Sequence, residues 1–389
     1  MSSILNNIRN MLFVLLGFTF PLSFFVKPSI SSILIILLSI LLLFQQDIRV
    51  KVQKVISSKW MISILALLFL YYISPLFFGL FTDTFWVLKR VSLLLILPIL
   101  YSFSFSQKTI NLSVFAFLSS MFLSSVIALA DNYEIIQFTK NWTWSAFLQY
   151  TEHNVFLAIA LLLSFYTLFR VKLSLFNRNI LLVFILTFLF SLFTEGGKAG
   201  QLVFIISIIL FFIFHFKDKR TLMFFSVLSI FIFSVVIYHS SPTVKKRFTH
   251  EIKSIRSAEL SFRNNLFIYS VDLIQENPIM GYGTGSFTDV FKEVNKITKR
   301  TVDYGHKTPH NNYLYIWFEL GIIGLIVFMF IFYFQIKELL QKKDALFRVL
   351  LPLMFLIIML ADSYFFSHNT LIMYLFLSVI TLQYQYKPS

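Results

Sequence analysis

The chain has no cysteine and little charge. Of its 389 residues, 13% are Asp, Glu, Lys or Arg, about half the share usual in a soluble domain. Without cysteine there are no disulfides, thiolate nucleophiles or Cys-based metal sites. That absence fits either redox compartment and does not locate the protein. No Walker loop, dinucleotide fingerprint or HExxH segment occurs, so use of ATP is not indicated. No pair of carboxylates has a spacing suited to a two-acid glycosidase. No cluster of His, Asp and Glu has metal-ligand spacing. There is no internal repeat.

What the chain does have is apolar surface. Hydrophobic residues make up 58% of it, Phe occurs 50 times, and the mean hydropathy is +0.79. Too few polar groups remain to cover such a core in water, so lipid is the solvent. A spanning helix needs about 20 apolar residues, and about twelve segments qualify. They lie near 11–26, 29–44, 60–80, 85–103, 110–130, 153–170, 179–194, 199–215, 221–238, 312–335, 347–362 and 369–385. The first two are short and could pair as a hairpin around Pro28. No small-residue cleavage site follows the first run, so it reads as a helix and not as a removed signal peptide. The expected fold is an all-α polytopic membrane protein with about twelve transmembrane helices and a large outer loop that itself contains helices. Three parts are expected: an N-terminal transmembrane bundle at 1–238, the loop at 239–309, and C-terminal transmembrane helices at 310–389.

The net charge is +15. In a soluble protein this would raise nucleic acid as a partner, but here topology accounts for it. With a cytoplasmic N-terminus, the inner loops collect Arg49, Lys51, Lys54, Lys59, Lys108, Arg170, Lys172, Arg178, Lys217, Lys219, Arg220, Lys337, Lys342, Lys343 and Arg348. The short outer loops hold few, chiefly Lys27, Lys89, Arg90, Lys140 and Lys198. This is the positive-inside pattern, and no nucleic-acid partner is expected.

Two outer segments stand apart. Residues 131–152 carry Trp142, Trp144 and Tyr150 and read as an interfacial loop. Residues 239–309, roughly 70 long, exceed what a simple connection needs. Within them, 262–275 has apolar positions at helical spacing, and the glycine-rich stretch Gly281–Gly285 reads as a turn because no strand precedes it. This loop stays basic, with Lys245, Lys246, Arg247, Lys253, Arg256, Arg263, Lys292, Lys296, Lys299, Arg300 and Lys307. Long loops translocate regardless of charge, and the basicity implies an anionic partner on the outer side.

The chemistry concentrates in Thr308–Gly324. Pro309 suits a helix start, which puts His310 at the outer end of the tenth helix. Gly321 is eleven positions on, within about 20° of the same helical face, and Gly324 within about 40°. Glycines on that stripe let a neighbouring helix approach closely. A histidine at the water boundary suits a general base. On spacing alone, an interfacial hydrogen-bonded histidine with packing glycines accounts for the stripe as well. His306, separated from it by Pro309, reads as facing water. Glu152 and His153 could line a cavity, and Asp362 and His368 read as solvated residues of the last outer loop.

Taken together, His310-Asn311, nine further residues, Gly321, two residues and Gly324 resemble the signature of the O-antigen ligase and polymerase superfamily. Arg263-Asn-Asn-Leu-Phe and the following LIQENPIMGYGTGSF resemble a second signature of that family. In TEGGKAG, Lys198 stands where the family usually has arginine, and lysine lacks the bidentate fork. The resemblance covers mainly 190–330, with the helix count and outer loop. It implies a GT-C-like glycosyltransferase of the inner membrane, with its site facing the periplasm and no cofactor or metal. The implied donor is a glycan on undecaprenyl pyrophosphate. The implied acceptor is lipid A–core for a ligase, or another lipid-linked repeat for a polymerase. His310 would be the catalytic base, supported by Asn311, Gly321 and Gly324. Arg263, Lys198 and Arg300, with Lys89 and Arg90 as lesser candidates, would bind pyrophosphate. Lys198 as a snorkelling lysine and Arg263 or Arg300 as solvated loop charges remain open. So does a different class, a transporter or flippase, although no matching pair of broken helices marks the two halves.

Overall fold

The computed structural model describes residues 2–22, 28–44, 47–138, 144–215, 262–298 and 306–384, with the single positions 228 and 232. The protein is an all-α polytopic membrane protein. Its helices are α1 Ser2–Thr19, α2 Pro28–Leu43, α3 Ile48–Ser57, α4 Lys59–Phe78, α5 Thr84–Val91, α6 Ile96–Ser102, α7 Gln107–Asn132, α8 Tyr150–Arg170, α9 Leu175–Thr194, α10 Lys198–His215, α11 Phe262–Glu276, α12 Phe287–Thr298, α13 Asn312–Leu340, α14 Ala345–Ile358 and α15 His368–Gln383. A two-residue antiparallel ladder, Trp144–Ser145 with Leu148–Gln149, is the strand pairing among the described residues.

Small polar residues set the helix starts. Ser58, Ser106 and Ser174 accept the backbone N–H of Met61, Thr109 and Asn177 and so cap α4, α7 and α9. The runs that follow are apolar on all sides, as a helix enclosed by lipid and other helices must be. Among the described residues, α4, the continuous unit Thr84–Ser102, α7, α8, α9 and α13 are each long and apolar enough to cross a membrane. The α2 and α3 helices, inclined at 115° to each other, are together apolar and long enough for a broken span or a re-entrant hairpin.

Apolar helices stand at every segment expected from the sequence apart from 221–238, which lies outside the described residues except for positions 228 and 232. The expectation that each crosses unaided is too generous: α10, α14 and α15 are apolar but short. The middle of the bundle is α8, of which 78% of the apolar window is buried against 39–56% for the other spans. Aromatic contacts tie it to its neighbours. Phe20 packs on Phe117 and Phe156, with ring centroids 5.6 and 5.8 Å away.

The turns gather at two ends. At one end Ser58 and Tyr101 donate to Glu338, Lys54 donates to the Tyr101 carbonyl, and Gln383 accepts from the Phe105 N–H. The opposite end assembles residues 79–84, 144–154, 195–198, 277–289, 306–312 and 359–369, and carries the candidate chemistry.

The helix at 262–275 is present as α11, and the glycine-rich stretch is a turn, as its sequence indicates. Its location is unexpected. The helix α13 is broken at Gly321, where φ is 67° and ψ −170°. The turn after α11 inserts into that break: Ile322 N–H donates to the Pro278 carbonyl, and Phe318 and Glu319 carbonyls accept from Tyr282 and Gly283 N–H at 2.8 and 2.9 Å. The backbone groups orphaned by the break are thus satisfied inside the protein, the condition for irregular backbone at membrane depth. The break lies about 13 Å along the axis from Asn312 at 1.5 Å per residue. Residues 277–286 therefore dip into the bundle as a re-entrant elbow.

Candidate active site

The elbow matters because it fixes the first half of α13, and that half carries the histidine segment. Asn311 caps α13: its side-chain oxygen accepts from Tyr313 N–H at 2.9 Å and Leu314 N–H at 3.1 Å. Its amide donates to the Leu360 carbonyl at 3.1 Å. Asn312 N–H donates to the Met359 carbonyl, and its side-chain oxygen accepts from Phe365 N–H. These two asparagines therefore staple the 359–365 turn to the start of α13. The side-chain oxygen and one amide N–H of Asn311 are thus committed to this staple, which leaves its second amide N–H for the supporting role its position indicates.

Asp362 lies on that turn. Its Oδ1 is 2.8 Å from His310 Nδ1, and both side chains are about one-fifth exposed. Asp362 is thus the partner of His310 and not merely a solvated loop residue. His306 is also displaced from the reading that it only faces water: its Nδ1 is 3.0 Å from His310 Nε2. His310 itself is not helical. It precedes the cap with φ 54°, in the left-handed region where non-glycine residues are uncommon. The helical-face argument linking it to Gly321 therefore fails, since neither end of that stripe is regular helix. Gly321 admits no Cβ because the Ile279 carbonyl oxygen would lie 1.9 Å from it. A Cβ at Gly324 would meet its own helix's Leu320 side chain at 2.2 Å. Gly321 thus serves the break and the elbow.

Lys198 is the first residue of α10, exposed, behind the turn Glu195-Gly196-Gly197. The helix N-terminus adds its positive dipole end to the lysine charge, a combination suited to an anion. The turn is held from α8. His153, fully buried, places Nδ1 2.9 Å from Glu195 Oε2 and Nε2 3.1 Å from Ser124 Oγ. Burial alone would raise the Glu195 carboxyl, but the charge of His153 and the hydroxyls of Ser191 and Ser145 hold it below the usual range. Asn154 donates to the Gly197 carbonyl at 3.0 Å and packs so closely that a Cβ on Gly200 would lie 2.3 Å from its backbone.

Three successive residues of α8, 100° apart around the helix, thus point three ways. His153 and Asn154 hold the Lys198 turn. Glu152 turns to a cavity of about 790 Å³, where it accepts from Ser367 and from Asn369 at 3.0 Å. Of the two residues expected to line a cavity, Glu152 does and His153 does not. The same cavity is walled by Trp86, Lys89, Arg90 and Asp362. Lys307 lies 5.3 Å from the ring of Trp86, one of the wall residues, and 2.5 Å from Asp83.

The backbone of Arg263 lies in the first turn of α11, and its side chain lies outside what the structure describes. Arg300 is also outside the described residues. The structure brings His310, Asp362 and His306 into contact. Among the described residues α8 links the two groups, since Ser367 and Asn369 donate to Glu152 while His153 and Asn154 hold the Lys198 turn.

With that geometry in place, the likeness to other proteins becomes informative. Residues 181–329 match the family model described as O-antigen ligase. The O-antigen ligase of Salmonella typhimurium is 47% identical over 72 residues, 17% of this chain and 17% of the relative. Over this segment the chain is similar to the O-antigen ligase superfamily. A Haemophilus influenzae protein of no stated function is 26% identical over 306 residues, covering 72% of this chain and 74% of that one. A Rickettsia conorii protein provisionally named a polysaccharide ligase is 29% identical over 185 residues, 43% of its length. The matched part of the chain runs from α9 to the middle of α13. It contains Lys198, Arg263, Arg300, His310, Asn311, Gly321 and Gly324, and leaves out Glu152, His153 and Asp362.

Proposed function

We propose that the protein is an O-antigen ligase of the inner membrane. In this reading it takes a glycan from undecaprenyl pyrophosphate on the periplasmic side and joins it to a hydroxyl of lipid A–core. The observation that carries the reading is the His310–Asp362 pair, 2.8 Å apart, with Asp362 lining a charged cavity. A carboxylate on Nδ1 fixes the tautomer that leaves Nε2 as acceptor, and it stabilises the imidazolium formed on proton uptake.

The step is a single displacement. As the acceptor oxygen bonds to the anomeric carbon, its proton passes to His310 Nε2. The bond from that carbon to the diphosphate oxygen breaks on the opposite face, so the configuration inverts. The departing diphosphate gathers charge, which fixed cations stabilise without proton transfer. Lys198, on the N-terminus of α10, Arg263 and Arg300 are assigned that role. The cavity beside Asp362 receives the acceptor sugar. Cationic side chains supply the electrostatic stabilisation throughout, and no divalent ion is required.

The test is reconstitution of purified protein with the lipid-linked glycan and lipid A–core. The expected products are a conjugate and undecaprenyl pyrophosphate, with no loss of activity in chelator. His310→Ala should lower turnover by about 100- to 10,000-fold, the usual range for a general base, while the protein stays inserted. Transport of an unbroken lipid-linked glycan would indicate a carrier. Lengthening of the lipid-linked chain without conjugation would indicate a polymerase.

A further inference from the structure

The nitrogen assigned to proton uptake is already occupied. Asp362 Oδ1 sits on His310 Nδ1 at 2.8 Å, and an ionised carboxylate only accepts, so Nδ1 carries hydrogen. A neutral His310 then has its lone pair on Nε2. His306 Nδ1 lies 3.0 Å from that atom, with the rings 4.9 Å apart and inclined at 62°. The proton between the two nitrogens belongs to His306 when both rings are neutral, an assignment made from the network. His310 in this state has no free acceptor for a hydroxyl.

The two rings are held differently. Asn311 and Asn312 fix the turn that carries Asp362, and this anchors His310. His306 precedes the cap by several residues in irregular chain, and its neighbour Lys307 is clipped to Asp83. Displacement of the half-buried His306 ring from Nε2 leaves the His310–Asp362 pair in place.

We propose that His306 is a positioning residue that occupies the base nitrogen of His310 until an acceptor hydroxyl displaces it, and so restrains hydrolysis of the donor. The inference rests on the base role given to His310 above. A transferase that handles an activated sugar diphosphate next to water faces a competing reaction. Water attacking the same carbon would deliver its proton to Nε2 and release free glycan and polyprenyl diphosphate. An N–H already donating to Nε2 denies water that acceptor. A bound acceptor, held by its remaining sugar contacts, competes for the position where a lone water does not.

The experiment compares wild type, His306→Ala, His306→Gln and His310→Ala, each in proteoliposomes with polyprenyl-diphosphate-linked glycan. Polyprenyl diphosphate release is measured with and without a lipid-linked saccharide acceptor. Wild type should release little without acceptor. His306→Ala should raise the ratio of hydrolysis to transfer by about tenfold, a size that one net hydrogen bond supports, with transfer kcat within a few fold of wild type. His306→Gln keeps an N–H donor and should restore a low ratio. An unchanged ratio in His306→Ala would overturn the proposal. So would loss of both reactions in His306→Ala and His306→Gln to the level of His310→Ala, since His306 would then belong to the chemistry or the fold. The underlying reading fails separately, if His310→Ala retains transfer or wild type makes no conjugate, whatever the His306 variants do.

Discussion

At the scale of single residues, the histidine was visible in the sequence and its partner was not. His310 is marked by its neighbours Asn311, Gly321 and Gly324, all on one short stretch. Asp362 is 52 positions away, and nothing local distinguishes a lone aspartate at the end of a span from a solvated one. Only the staple from Asn311 and Asn312 to the 359–365 turn reveals the pairing. A comparison of Asp362→Asn with Asp362→Glu isolates that role. The amide can take the geometry but favours the wrong tautomer and cannot stabilise the imidazolium, so kcat should fall by about 100-fold or more. The glutamate should recover part of the loss. Donor KM should stay near the wild-type value in both, measured by the release of lipid diphosphate. A matching rise in donor KM with unchanged kcat would place Asp362 in binding instead.

At the scale of elements, periodicity gave the helices and misjudged one break. Apolar runs located α4 to α10 and α13 to α15 because lipid leaves the backbone no other satisfied form. Gly321 read as a packing glycine because helical spacing assumes an unbroken helix. The partner that requires its φ of 67° is the turn after α11, some 40 residues earlier. Gly321→Ala should therefore fail for two reasons: a left-handed conformation costs an alanine about 1–3 kcal/mol, and its Cβ would meet the Ile279 carbonyl oxygen at 1.9 Å. Thermal unfolding in detergent should show a fall of several degrees together with loss of transfer. Gly324→Ala brings a Cβ to 2.2 Å from the Leu320 Cβ, so it too should destabilise, but without the left-handed backbone penalty that Gly321 carries. The same logic applies to the Lys198 turn. Gly200→Ala drives a Cβ against the Asn154 backbone at 2.3 Å, and should weaken donor use by shifting Lys198 while leaving His310 in place. Donor KM rising more than kcat falls would bear this out.

At the scale of the whole molecule, charge and hydropathy already indicated which end faces which compartment. The structure assembles the ends as physical surfaces. Lys54, Lys342, Lys343 and Arg348 surround one cavity of about 540 Å³, while His310, Asp362, Glu152 and Lys198 stand at the other end. The reading of function depends on the second end facing outward. The chain's lack of cysteine makes the natural protein a ready background for single-cysteine labelling. Glu276 and Lys343 are both exposed and lie at opposite ends. Neither is assigned to catalysis, so Glu276→Cys and Lys343→Cys should both remain active. A membrane-impermeant maleimide applied to right-side-out vesicles should label Glu276→Cys at once and Lys343→Cys only after permeabilisation. The reverse pattern would turn the imidazoles and cations toward the cytoplasm. A donor displayed on the outer leaflet could not then reach them, and the ligase reading would fail at this scale whatever the geometry of its residues.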